Sequence, residues 1–239
     1  RSDIFTAEDL ENYNMASIRV LPIVDEYAPN DSFLSRTGSY KSNANSVVTS
    51  EYIGFILIQA QEEKTEKLSG SFAMIRLQDH TVVISLKQII ENGLEDLALP
   101  ILAHEVGHHV YAPGDLREHA RIFARVRRVL GGKMSQTGMV CNLYTDLLLN
   151  DRLQRQQNVP IAEVYRRLHK KSKGSSALWG LYMRCYEILW NLPSGELGGG
   201  QSPEIQADAP LGARLIRVYA RDPARGAARF AALVLPYLQ

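Results

Sequence analysis

Two histidines four residues apart with a glutamate after the first, His104-Glu105-Val106-Gly107-His108, are the residues of this 239-residue chain whose types and spacing prescribe a reaction. On an α-helix a separation of four residues turns the side chain by about 40°, so both imidazoles project from one face and can ligate a single ion. Glu105 lies about 100° round from His104, on the neighbouring strip. This is the arrangement a metallohydrolase needs: two imidazoles hold Zn2+, and the adjacent carboxylate takes a proton from the metal-activated water without being a ligand. Gly107 leaves space beside the metal and Val106 faces the core. An accidental match would more often be polar and exposed. Here Leu97, Leu99, Ile101 and Leu102 precede the motif and Val110 follows it, which predicts a buried helix. Burying two histidines and a glutamate without partners costs several kcal/mol.

A catalytic zinc site takes three protein ligands and a water, so a third must come from elsewhere. The position six residues after His108 is Gly114, which rules out a further histidine there. Asp115 follows one residue later, but a role as helix N-cap is enough to explain it. Asn142, Asp146 and Asn150 fall at i, i+4 and i+8, a polar stripe on a helix that is otherwise Leu, Val and Tyr. If the stripe faces the histidine helix, Asp146 is the carboxylate ligand and Asn150 or Asn142 hydrogen-bonds a ligand histidine. The plainer alternative is an amphipathic helix with its polar side in solvent. His119, on the intervening helix, is a remaining candidate ligand. His109 points away from His108, His80 belongs to a turn, and His169 closes a basic helix end where the dipole favours cations. Tyr111, Tyr144, Tyr165, Tyr182 and Tyr186 could each stabilise an oxyanion, and spacing does not choose among them.

The elements that must position these residues change character along the chain. Thr6 to Met15 reads as a short helix and Ala28 to Asn45 as a loop. Glu51 to Glu62, Ser71 to Gln78 and Thr81 to Leu86 read as three antiparallel strands, with Asp79-His80 as a two-residue hairpin connection. Thr81 to Leu86 could offer an edge to an extended peptide. Helices follow at Leu94 to Tyr111, from Asp115 to about Leu130, at Met139 to Gln156, Ile161 to Lys171 and Ser176 to Trp190. Strands first and helices second predict an α+β fold: a small N-terminal antiparallel sheet on a mainly helical body with two active-site helices, plus C-terminal helices. The glycine-rich stretch gives expected domains of 1–195, a linker at 196–209 and a helical segment at 210–239, with two helices split near Asp222-Pro223.

With 27 basic and 26 acidic residues there is no basic field for nucleic acid. No apolar run reaches the length of a membrane helix, and the N-terminus is not a secretory signal. Cys141 and Cys185 sit in apolar helical stretches, predicting buried free thiols and a cytoplasmic setting. A start at Arg1 and an end on an apolar helix pattern predict a processed form or a segment of something longer.

The two helices resemble those of gluzincin and aspzincin metallopeptidases, in which a His-Glu-x-x-His helix is completed by an acidic ligand from a later helix. In gluzincins that helix carries Glu followed four residues later by Asp; here Asp146 and Asn150 hold those places. The Asn-x-x-x-Asp-x-x-x-Asn form is also similar to predicted bacterial metallopeptidases that accompany von Willebrand A-type domains. A compact sheet followed by two active-site helices resembles minimal gluzincins, over roughly Glu51 to Gln156. The resemblance implies a zincin-like body and a zinc-dependent endopeptidase with Zn2+ on His104, His108 and Asp146. Glu105 is the expected general base, acting on a protein or peptide substrate. An open active site in the cytoplasm would endanger the host, so narrow substrate choice or a regulatory partner protein is expected. The alternative is a catalytically silent scaffold of the same fold that binds a partner, and a chance motif in a helical interaction protein would carry no stoichiometric zinc.

Overall fold

The computed structural model describes residues 54–58, 73–76, 81–171 and 176–238. The expected helix Thr6–Met15, the loop Ala28–Asn45, the polar stretch Glu63–Gly70 and the Asp79-His80 turn lie outside the described residues. The chain divides into two compact units, residues 1–109 and 110–239.

The first unit carries a three-stranded sheet in the order β1-β3-β2, formed by β1 (Gly54–Ile58), β2 (Ala73–Arg76) and β3 (Thr81–Ser85). β2 and β3 run antiparallel, as expected, with Arg76 paired to Thr81 and Ala73 to Ile84. The expectation of an all-antiparallel sheet fails at β1, which pairs with β3 in parallel, Gly54 opposite Thr81 and Ile58 opposite Ser85. The composition is consistent with that outcome. β1 is an unbroken apolar run, and successive Val82, Val83 and Ile84 on the central strand are all buried, as happens when both faces of a strand are covered.

Ser85 ends the sheet and starts a helix, its hydroxyl accepting from the Gln88 amide to cap α1 (Leu86–Asn92). Gly93 closes α1 in the left-handed conformation. The single helix expected over Leu94 to Tyr111 is a 3-10 turn, Glu95–Leu97, followed by α2 (Ala98–Val110). A mostly helical chain with a small sheet is therefore α+β at the coarse level.

The second unit is helical. Asp115 caps α3 (Leu116–Leu130) by accepting from the Glu118 amide at 2.7 Å. A 3-10 segment (Gly131–Gln136) leads to α4 (Thr137–Gln156), and α5 (Ile161–Lys171) follows. Then come α6 (Ala177–Leu189), capped by Ser176, α7 (Pro203–Val218), capped by Ser202, and α8 (Pro223–Val234), capped by Asp222. α4 is the central helix: every residue from Leu143 to Asp151 is buried, and α3, α5, α6, α7 and α8 all pack on it. Tyr144, Leu147 and Leu148 share its core with Ile122 and Val126 of α3, Tyr182 of α6 and Phe230 of α8.

The glycine-rich stretch does not behave as the expected 196–209 linker. α7 begins at Pro203, and the residues before it are tied to the fully buried carboxylate of Glu187. Glu187 accepts from the backbone amides of Gly195, Leu197 and Gly199 at 2.9–3.0 Å and from Arg184 at 3.1 Å. The glycines permit close approach. A Cβ on Gly199 would lie 2.3 Å from the Glu187 carboxylate, and one on Gly198, where φ is +84°, would lie 2.5 Å from the His169 ring. Substituting Glu187→Ala orphans the buried amides of Leu197 and Gly199 and the half-buried amide of Gly195 at about 1 kcal/mol each, so a loss of about 2–3 kcal/mol in urea unfolding is expected. A loss below about 0.5 kcal/mol would contradict this role.

Cys141 and Cys185 are buried free thiols, as expected, and burial pushes them up to about 11 and about 12. Desolvation disfavours the thiolate, so at pH 8 neither should react with an aromatic disulfide until the protein is unfolded, when both should. Rapid labelling of the native protein would contradict the packing. Among the described residues no helix is long and apolar enough to cross a membrane.

Candidate metal centre

α2 gives the histidine motif its geometry. His104 and His108 stand edge to face, with ring centroids 4.9 Å apart and planes at 86°. Glu105 is 5% exposed and His108 9%, whereas His104 is half-buried, and Val106 and Gly107 are buried between them. The motif's part of the helix is thus largely buried with Ile101, as expected, whereas the flanking Leu99 is 42% exposed.

The polar stripe on α4 does not lie in solvent as a whole. Asn142 is exposed, but Asp146 is 8% exposed and Asn150 is fully buried, so the stripe runs inward from the surface. Asn142 Nδ2 donates to Asp146 Oδ2 at 3.1 Å, which fixes the rotamer of the carboxylate. Asn142 was expected to support a ligand histidine, and this bond supports the carboxylate instead. Asn150 Nδ2 donates to the Tyr186 hydroxyl at 2.8 Å and to that of Tyr165 at 3.2 Å. Tyr182 and Tyr186, one turn apart on α6, bring their hydroxyls to 2.9 Å, and each lies 3.4 Å from the Tyr165 hydroxyl.

This cluster of three phenols around Asn150 is what sequence reasoning missed. Its signal was present in the four-residue spacing of Tyr182 and Tyr186, but the partners come from three helices. Burial pushes Tyr165 up to about 12, and the negative charge of Asp146 adds to the rise. Tyr182 and Tyr186 are raised well above the phenol range, first by burial and also by neighbouring Tyr165 and by Asp146. All three therefore stay protonated near Asp146 and act as hydrogen-bond donors. Tyr111 lies under the Arg152 guanidinium, 4.9 Å from its ring centroid. The Tyr144 hydroxyl is packed where a Cβ on Gly226 would collide with it.

His104 and His108 on α2, in the first unit, and Asp146 on α4, in the second, are side chains that could each ligate a metal ion. Asp115 caps α3, and His119 is half-buried beside the Phe123 ring. Two imidazoles and one carboxylate are the donor types of a three-ligand catalytic zinc.

Comparison with known proteins returned no match: no family model, no curated protein and no solved structure is detectably similar to this chain.

If Asn142 holds the Asp146 carboxylate for a metal, Asn142→Ala should weaken zinc binding by about tenfold, the lower end of the usual effect of removing a ligand's hydrogen-bond partner. Competition with a chromophoric chelator reads this directly, and an unchanged affinity would show that Asn142 does not orient the ligand.

Proposed function

We propose that this chain is a zinc-dependent endopeptidase whose site comprises His104, His108, Asp146 and Glu105. The observation that carries the reading is the unbroken helix α2, on which both imidazoles and the intervening carboxylate sit in metallohydrolase order, with Glu105 buried. Asp146, a largely buried carboxylate oriented by Asn142 on the polar stripe of α4, is the proposed third ligand. Zinc held by these three residues would polarise the scissile carbonyl and acidify a water molecule. Glu105 would take a proton from the attacking water and pass it to the leaving amine, so one carboxylate would serve as base and then as acid. His104 and His108 would hold the metal through their imidazole nitrogens.

The silent-scaffold alternative keeps the ligands without needing the base, because a purely structural zinc site uses no general base. The two readings separate in one experiment. Digestion of a peptide library followed by mass spectrometry should show cleavage by the wild type, and Glu105→Gln should slow it by about 10²- to 10⁴-fold while zinc stoichiometry is retained. Equal cleavage by the variant would overturn the role of Glu105. Zinc binding without cleavage by either protein would favour the scaffold. Narrow substrate choice, or dependence on a regulatory partner in the cytoplasm, further predicts that the chain alone leaves unfolded casein intact.

A further inference from the structure

The helix α3 carries a charged face that the proposed site does not use. Arg117, Arg121, Arg125 and Arg128 are all exposed and fall within an arc of about 80° on the helix wheel, spread over about 16 Å of its length. The opposite arc holds Ile122, Val126 and Leu130, buried in the core of the second unit. Among the described residues Arg117, Arg125 and Arg128 make no ion pair, and the charge of Arg121 acts on Glu118 beside it. Like charges four residues apart destabilise a helix, so the stripe opposes folding rather than assisting it. The chain's net charge is only +1, which makes the stripe a local feature and not part of a general basic field.

The composition and spacing of this face fit a helical protein partner. Every cation on α3 apart from His119 is an arginine, and it has no lysine. Interface cores between proteins are enriched in arginine and depleted in lysine. Ala120 and Ala124 adjoin the arginine arc, so a partner backbone can come close, and Leu116 at the N-terminal end is 49% exposed. The four-residue spacing of Arg117, Arg121 and Arg125 is reproduced by carboxylates four apart on a second helix, and the guanidinium fork suits carboxylate recognition.

We propose that the arginine face of α3 docks an acidic helical segment of a partner protein, with carboxylates at four-residue spacing and an apolar residue over Leu116. The interaction is charge-complementary, so its affinity falls with salt.

The test uses the full chain and fluorescence anisotropy at 150 mM NaCl. The probes are a labelled helix-forming peptide with Glu at every fourth position and one leucine, its scrambled counterpart, a single-stranded oligonucleotide and vesicles containing phosphatidylserine. The ordered peptide should bind more tightly than the scrambled one. Combined Arg117→Gln, Arg121→Gln, Arg125→Gln and Arg128→Gln substitution should weaken it about tenfold, the sum expected of several exposed ion pairs. Removing exposed cations on other helices, by Lys170→Gln, Lys171→Gln and Arg214→Gln, should leave binding within about twofold, since charges away from a contact contribute little. Ala120→Glu with Ala124→Glu, which places acidic groups beside the arginines, should abolish binding in a protein whose circular dichroism is unchanged. Equal binding of both peptides, equal loss in the two sets of arginine and lysine variants, retained binding by the Ala120/Ala124 variant, or tighter binding of oligonucleotide or vesicle would each overturn the proposal.

Discussion

Two imidazoles four residues apart can meet one ion from a single element only when that element is a helix, and that constraint governs the site proposed for this chain. The four-residue interval on α2 leaves the rings edge to face at 4.9 Å, with Glu105 on the adjoining strip. A strand would send residues four apart to the same face but too far apart, and a loop would not hold them. The residues that keep α2 helical are therefore part of the chemistry.

Two buried carboxylates in this molecule are handled in different ways, and the contrast sharpens their roles. Glu187 accepts three backbone amides and an arginine, so its capacity is spent on fixing the loop between α6 and α7. Asp146 is oriented through one oxygen by Asn142, which leaves it as a candidate ligand. One turn further on, Asn150 spends both amide hydrogens on phenols whose own burial keeps them protonated. The polar stripe of α4 is thus a graded path from an exposed asparagine through a candidate ligand to a sealed hydrogen-bond cluster.

Much of this was legible because it is local. Asp115, Ser176 and Asp222 announce helix starts through their own side chains, and α5 matches its expected bounds, Ile161 to Lys171. The histidine motif and the stripe on α4 are likewise periodicities within single helices. What sequence could not supply is non-local. The direction of β1 depends on which strand it meets, and an apolar run alone does not state it. The glycines from 195 to 200 looked like a linker because glycine also signals flexibility, whereas here they let backbone approach Glu187 and the His169 ring. The three tyrosines could not be chosen because they converge only once α4, α5 and α6 are packed.

The central claim is that His104, His108 and Asp146 together bind one zinc ion. X-ray absorption at the zinc edge, with elemental analysis of the same purified sample, tests it most directly. The account predicts one zinc per chain, with two imidazoles and further oxygen donors at about 2.0–2.2 Å and no sulfur at about 2.3 Å. A sulfur shell, or the absence of zinc from protein prepared and reconstituted with it, would contradict the account.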